Sequence, residues 1–212
     1  MSRFLVPYEA AESEFTEKRS RFISHVWPVT TEEEAQARIR EMKARYHDAR
    51  HNCWCYLLRE GRVQRYSDDG EPQGSAGQPM LGVFDREEVW DVCCVVTRYF
   101  GGILLGAGGL TRAYAKGAKD ALNASGVAEM RLWAKVEVPC TYSLLERMKL
   151  EIEASQGRIE EIAYAADVRI SALLPSEQEG ALQERLTELS AGALSITVQE
   201  ERFRPGPRQE SR

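Results

Sequence analysis

Long apolar runs are missing from this 212-residue chain, and none approaches the roughly 18 consecutive apolar residues that a membrane-spanning helix needs. The first residues, MSRF, also lack the apolar core of a secretory signal peptide. We therefore expect a cytoplasmic protein without a membrane partner.

A strongly basic composition is missing as well. The net charge is −5 at pH 7, whereas a protein that binds nucleic acid over a large surface usually carries an excess of lysine and arginine. Any contact with a polyanion must therefore be local.

The five cysteines lack the paired spacing of a disulfide framework or a zinc site. The odd number of cysteines and their apolar, strand-like surroundings predict reduced, packed thiols. His47 and His51 lie near two of them, but the spacing fits no familiar zinc arrangement. The five are Cys53, Cys55, Cys93, Cys94 and Cys140.

Signatures of several enzyme classes are absent. No Gly-Lys-Ser/Thr follows the glycine-rich segment, and the acidic ribose partner of a dinucleotide site is missing. Ser67 and Ser75 do not stand in a Gly-x-Ser-x-Gly elbow. We therefore expect a binding protein rather than an enzyme, and we assign no catalytic residue.

The chain does contain a glycine-dense loop, residues 101–109 (GGILLGAGG), between a strand-like segment at 92–99 and an amphipathic helix. Glycines let the backbone approach a ligand closely, and a helix start offers unpaired N–H groups and a partial positive charge. Cations and an aromatic residue accompany the loop, so we predict an anion or nucleic-acid site. The alternative is a tight turn beside a solvated basic face. The predicted site comprises Arg21, Arg98, Tyr99, Gly101, Gly102, Gly108, Gly109, Arg112 and Lys116.

An acidic turn at residues 67–72 (SDDGEP) is the second candidate feature. Its Asp68, Asp69 and Glu71, together with His51, form a predicted ligand or partner loop. Carboxylate oxygens also suit Mg²⁺, although Asp-Asp-Gly is common turn chemistry. We expect no cofactor, with Mg²⁺ against a bound phosphate as the alternative.

The periodicity predicts an α+β fold with two domains, at residues 1–131 and 132–204. In the first, Thr31 and Glu34 have the spacing of a capping box that starts a helix. The second has the element order βαββαβ of a ferredoxin-like domain. Residues 205–212, which include Pro205 and Pro207, are predicted to be a disordered tail.

The motifs together resemble the YigZ/IMPACT family, over nearly the whole chain. Arg50 stands where that family usually has a small or hydroxyl residue. The segments that carry the resemblance are residues 20–23 (SRFI), 51–52 (HN), 67–72 (SDDGEP), 74–81 (GSAGQPML), 97–102 (TRYFGG) and 108–114 (GGLTRAY).

The resemblance implies a first domain like one in a small-subunit ribosomal protein and like the fourth domain of elongation factor G, with a second domain like that factor's fifth. Eukaryotic relatives are linked to translational control under amino-acid starvation, through partners that bind a domain not found in these residues. Our leading hypothesis is a translation-associated protein that contacts RNA, the ribosome or a translation factor. One alternative is a Mg²⁺-dependent enzyme or nucleotide-binding protein acting on a small phosphorylated ligand. Another is a protein-interaction module in which Trp133 and the second-domain sheet matter most.

Overall fold

The computed structural model describes residues 4–210, which divide into two compact units. The first unit holds the described residues up to Met130 together with those from Pro205 onward. The second unit is Arg131–Arg204. Sheets and helices are mixed in both units, so the α+β class expected from the sequence is confirmed.

A five-stranded antiparallel sheet forms the centre of the first unit. Its strands are β2 Ala11–Glu17, β3 Ser20–Pro28, β4 His51–Leu58, β5 Val63–Ser67 and β6 Val92–Tyr99. Their spatial order is β2-β3-β6-β4-β5. A separate short strand, β1 Phe4–Pro7, pairs with the first residues of β7 Val127–Cys140.

Helices cover both faces of this sheet. The helix α1 Glu32–Arg45 packs on one face, while α2 Gly77–Arg86 and α3 Ala107–Ser125 pack on the other. Successive side chains of a strand point to opposite faces, so Phe22 of β3 joins the α2/α3 core whereas Trp27 joins the α1 core. None of the helices within residues 4–210 combines the length and the apolar character needed to cross a bilayer.

The start of α1 follows the predicted capping pattern. The Thr31 hydroxyl accepts a hydrogen bond from the Glu34 backbone N–H over 3.2 Å. The Glu34 carboxylate accepts the main return bond from the backbone N–H of Thr30, at 2.6 Å. This bond holds the pKa of Glu34 below its ordinary value.

The second unit follows the predicted βαββαβ order. After β7 come α4 Leu145–Ala154, β8 Arg158–Tyr164, β9 Val168–Pro175, α5 Glu179–Leu189 and β10 Thr197–Gln209. In the sheet β10 pairs with β7, β7 with β9, and β9 with β8. Apolar side chains of β7 and β9 alternate toward the two helices and form a core that includes Val136, Met148, Ile170 and Leu182.

The structure corrects the prediction of a disordered tail. Residues 205–209 continue β10, and the Arg208 guanidinium Nη2 donates to the Ala124 carbonyl over 2.8 Å. Pro205 and Pro207 are two residues apart, so their missing N–H groups fall on one edge of the strand, and the only partner of β10 among the described strands is β7. The last two residues of the predicted tail lie outside the described residues.

Candidate anion-binding surface

Helix α3 begins at Ala107, inside the glycine-rich segment 101–109, and it has no side-chain cap. Gly106 precedes the first helical residue with a φ of 75°, a left-handed value that glycine adopts without strain. Residues 106–108 are exposed. The first N–H groups of a helix have no intrahelical acceptor, so this 19-residue helix presents unpaired donors and the positive end of its dipole to solvent. The start of α3 is therefore suited to binding an anion.

The first two glycines of the loop serve a close backbone approach. A β-carbon on Gly101 would lie only 2.0 Å from the carbonyl carbon and oxygen of Arg19. The Gly101 N–H donates to the Ser20 hydroxyl over 3.2 Å, so this amide is used within the protein. Gly102 follows with a φ of 82°. These contacts hold the loop against the turn between β2 and β3.

Three cations surround a cavity of about 150 Å³ beside the first turns of α3. Arg112 and Lys116 come from α3, and Lys18 comes from the turn between β2 and β3. Glu17 is the only carboxylate that lines the cavity within the described chain. The cavity therefore has an excess of positive charge.

The two α3 cations differ in how they are held. A β-carbon on Gly108 would lie 3.5 Å from Nη1 of Arg112, so this guanidinium stands beside the exposed backbone of the first turn. Lys116 pairs with Asp120 one turn further along the helix, and its Nζ lies 4.7 Å from the centre of the Phe15 ring. Arg112 is thus the cation of this group that stands nearest to the helix start.

Lys18 is a site residue that the sequence did not reveal. It and Arg19 form a two-residue turn between the paired residues Glu17 and Ser20, with φ values of 46° and 64°. Hairpin turns with positive φ usually contain glycine or asparagine, which are lacking here. The turn therefore carried no sequence signal, although its position beside the loop brings Lys18 to the cavity.

Arg98 lies inside the protein rather than at the cavity. Its Nη1 donates to the Glu71 carboxylate over 2.7 Å, and both side chains are more than nine-tenths buried. Tyr114 of α3 donates its hydroxyl to the same carboxylate oxygen over 2.8 Å, and burial raises the pKa of this tyrosine well above its ordinary value. Arg98 also donates to the Ser20 hydroxyl over 3.3 Å. The residue thus ties the acidic turn, α3 and the loop together, and it is not exposed to a ligand.

Arg21 and Tyr99 lie on the other face of the sheet from the cavity. They are directly paired between β3 and β6, next to the pair of Phe22 and Arg98 that faces α3. Arg21 donates two hydrogen bonds, of 2.7 and 2.8 Å, to Glu14, and these hold the pKa of that carboxyl below its usual range. Tyr99 donates to Asp48 over 2.7 Å. Strand alternation therefore separates two of the predicted residues from the rest.

The acidic turn is held by internal contacts. Asp68 accepts hydrogen bonds from the backbone N–H groups of Gly74, Ala76 and Gly77, at 2.8, 3.0 and 2.9 Å. It therefore caps the start of α2, although it lies eight residues before the N-cap position of that helix. With Glu71 bonded to Arg98, two of the three predicted carboxylates serve the fold directly.

Asp69 and His51 are both held by hydrogen bonds within the protein, and they contact each other. The Asp69 carboxylate accepts from Lys43 and from the Asn52 backbone N–H, both at 2.7 Å. The His51 ring nitrogen Nδ1 lies 3.0 Å from the Asp69 carbonyl oxygen. Within residues 4–210, no group of three or more His, Cys, Asp or Glu side chains is arranged to hold a metal ion. To hold Mg²⁺, these carboxylates would have to exchange protein donors for the ion.

The cysteines are free and buried, as the sequence predicted. Burial raises the pKa of Cys93 to about 12, so this thiol stays protonated near neutral pH. The cysteines are therefore core residues and do not take part in the candidate site.

Two family models match the chain. Residues 18–122 match the Impact N-terminal domain, and residues 138–193 match a domain of unknown function, DUF1949. The first match contains the loop, the acidic turn and the cations of the cavity. The second lies within the βαββαβ unit.

Bacterial relatives match over most of their length. The IMPACT family member YvyE of Bacillus subtilis is 42% identical, over 89% of this chain and 87% of its own. The IMPACT family member YigZ of Escherichia coli is 31% identical, over 95% of this chain and 100% of its own.

Mouse Protein IMPACT is 36% identical over only 43% of this chain and 30% of its own length. A crystal structure of a hypothetical protein superposes with a TM-score of 0.60 at 31% identity, covering 94% of this chain and 98% of that one.

Proposed function

The chain belongs to the IMPACT family, and from that premise we propose that its first unit binds RNA of the translation machinery through one surface beside α3. This surface, the α3 basic surface, consists of residues 100–109 with Lys18, Arg112 and Lys116. The observation that carries the proposal is the uncapped start of α3 beside three cations. Backbone amides and cations are the groups that position a nucleic-acid phosphate.

Exposed apolar side chains beside the cations favour RNA with unpaired bases. Phe100, Ile103 and Leu104 are 48%, 41% and 82% exposed, and they lie in the same loop. Unstacked bases stack on aromatic rings such as that of Phe100, whereas a regular RNA helix hides its base faces. The surface therefore fits a single-stranded segment or a loop of a folded RNA.

The link to translation rests on the family resemblance. The mouse relative matches over less than half of this chain, so what the two proteins share lies in one domain. A local basic surface on a chain of net charge −5 fits a protein that docks at one place on a large RNA. We propose the ribosome or a translation factor bound to RNA as the partner.

The alternative of a Mg²⁺-dependent enzyme has less support. All three carboxylates of the acidic turn accept hydrogen bonds from protein donors. The cavity beside α3 is nevertheless large enough for a phosphate group, so a small phosphorylated ligand is the competing occupant. A thermal-shift screen with nucleotides, with and without Mg²⁺, tests it, because a ligand that binds only the folded state raises the melting temperature.

The proposal is tested by fluorescence anisotropy with labelled single-stranded RNA and with purified ribosomes, at two salt concentrations. We expect Arg112→Ala/Lys116→Ala to lower the affinity for RNA roughly tenfold. Each exposed charge contact that is lost should contribute about 0.7 kcal/mol to this decrease. The slope of log affinity against log salt should fall by about 1.4, since each phosphate contact with a single strand contributes about 0.7.

A matched control keeps this test specific. Arg40→Ala/Arg65→Ala removes the same charge from exposed positions on α1 and β5. We expect that variant to bind nearly as the unchanged protein does. Failure of the unchanged protein to bind, or an equal loss in both variants, would refute the α3 basic surface as the binding site.

A further inference from the structure

A second cavity, of about 660 Å³, lies at the opposite end of the first-unit sheet from the glycine loop. Trp90, which lines it, comes just before β6, whereas the loop follows the last residue of the same strand. The remaining lining residues come from β1, the turn after β4, the end of α2, the start of β7 and the end of the described chain. A volume of this size is typical of sites for small molecules or for a peptide side chain.

Two aromatic side chains form part of the cavity wall. The backbone N–H of Trp90 donates to the Leu5 carbonyl over 2.8 Å, which fixes the tryptophan beside β1. Phe4 of the same strand also lines the cavity, and the Arg59 guanidinium carbon lies 4.6 Å from the centre of its ring. The wall thus already accommodates one organic cation over an aromatic face.

The charges around the cavity favour a further cation. Among residues 4–210, four carboxylates line it, against the guanidinium groups of Arg59 and Arg62. Two of the four, Asp85 and Glu88, are exposed at the end of α2, where neither assists the helix dipole. The other two are Glu129 and Glu210. Acidic groups around an aromatic wall suit an ammonium or guanidinium group on an aliphatic chain, because the chain packs on the rings while the charge meets the carboxylates.

We infer that this cavity binds an aliphatic cation, carried either by a polyamine or by a lysine or arginine side chain of a peptide. A lone metal ion would leave most of 660 Å³ unfilled and would make no use of the aromatic wall. This site is separate from the α3 basic surface and takes a ligand of the opposite charge.

The test uses the full chain and follows the indole N–H signal of Trp90 by nuclear magnetic resonance. The chain has four tryptophans, so Trp90→Phe identifies the signal. Spermidine and an acetyl-dilysine amide are the two probes, and fully acetylated spermidine is the uncharged control. We expect a saturable shift with spermidine, with the peptide or with both, and the arm that binds more tightly identifies the source of the cation.

Matched variants test the role of the carboxylates. Asp85→Asn/Glu88→Gln should weaken binding roughly fivefold through loss of two exposed charges, and Glu33→Gln/Glu184→Gln, with the same charge change elsewhere, should not. The inference is overturned if neither probe moves the Trp90 signal, if acetylated spermidine moves it equally, or if the two double variants behave alike. Arg112→Ala/Lys116→Ala should leave the Trp90 shift unchanged. The proposal of a cation site and the proposal of an RNA site can therefore be refuted separately.

Discussion

Helices α2 and α3 lie on the same face of the first-unit sheet and both follow glycine-containing loops, yet their starts are completed differently. The first N–H groups of α2 are bonded to Asp68, which belongs to the preceding acidic turn. The start of α3 receives no side-chain cap, and cations rather than carboxylates stand beside it. The start of α2 is thus satisfied by a carboxylate of the protein, whereas the start of α3 has no side-chain cap.

This difference has a small energetic cost, because the N-cap of α3 is Gly106, and a glycine there forgoes only about 0.3 kcal/mol relative to a Ser, Thr, Asp or Asn cap. A chain that caps α1 with Thr31 and α2 with Asp68 has the means to cap α3 as well. The open start of α3, with its glycines and Arg112, is the place where we propose that an anion binds.

The largest effect is expected when the loop that carries the open start is disrupted. Gly101→Ala would place a methyl group 2.0 Å from the Arg19 backbone, and we expect a loss of about 3 kcal/mol in the free energy of unfolding. Urea denaturation measures it. Gly108→Ala is the control, because its methyl group would meet only the flexible end of Arg112, and it should be neutral or stabilising by roughly 0.5 kcal/mol. Equal losses in the two variants would contradict the loop geometry.

A smaller loss is expected when the internal cap of α2 is removed. Asp68→Ala leaves three backbone N–H groups without their acceptor, and we expect the free energy of unfolding to fall by about 2 kcal/mol. Asp85→Ala, at the exposed end of the same helix, makes the same chemical change and should cost far less. A similar melting temperature for the two variants would show that Asp68 is not the cap.

An acidic residue at the start of α3 should raise the stability of the protein and lower its affinity for RNA. Gly108→Asp puts a carboxylate at the positive end of the helix, which should raise the free energy of unfolding by about 0.5 kcal/mol. The same carboxylate would compete with a phosphate for the amides and for Arg112, so RNA affinity should fall at least about threefold. Anisotropy and urea denaturation on one preparation check both signs. An unchanged affinity would place the RNA elsewhere.

The smallest effect concerns the capped start of α1. The hydrogen bond from Thr30 lowers the pKa of Glu34 in the folded protein below its ordinary value of 4.5. The folded state then binds a proton less readily than the unfolded chain does, so this contribution is present above about pH 4.5 and is lost as pH falls through the lowered pKa. Glu34→Gln should make stability slightly less sensitive to acid in that range. If stability depends on acid pH identically in the variant and in the unchanged protein, the Glu34 carboxylate makes no such contribution.

Periodic features of the fold could be predicted from the sequence. The capping pair of α1 and the βαββαβ order depend on local spacing, and local spacing is what a sequence displays. The family could also be predicted, because its motifs combine residues of special conformation such as the glycines of the loop. The matches to the family model and to YvyE confirm that prediction. The prolines near the C-terminus misled because a proline breaks a strand only where its N–H is needed.

The candidate site was harder to predict, because pairing across the sheet decides which charges remain exposed. Arg98 and Glu71 are 27 residues apart and both look like surface residues, yet the fold buries them together. Alternation along β3 and β6 turns Arg21 and Tyr99 away from the cavity. Lys18 reaches the cavity only through a turn whose residues carry no turn signature.

The most direct test compares the backbone amide signals at the two helix starts during titration with a short single-stranded RNA. We predict that the nuclear magnetic resonance signals of Gly108 and Gly109 shift and saturate together, while those of Gly74 and Gly77, which are bonded to Asp68, stay in place. Shifts at Gly74 and Gly77 without shifts at Gly108 and Gly109, or an absence of shifts at both helix starts, would contradict the claim that α3 is left open for an anion.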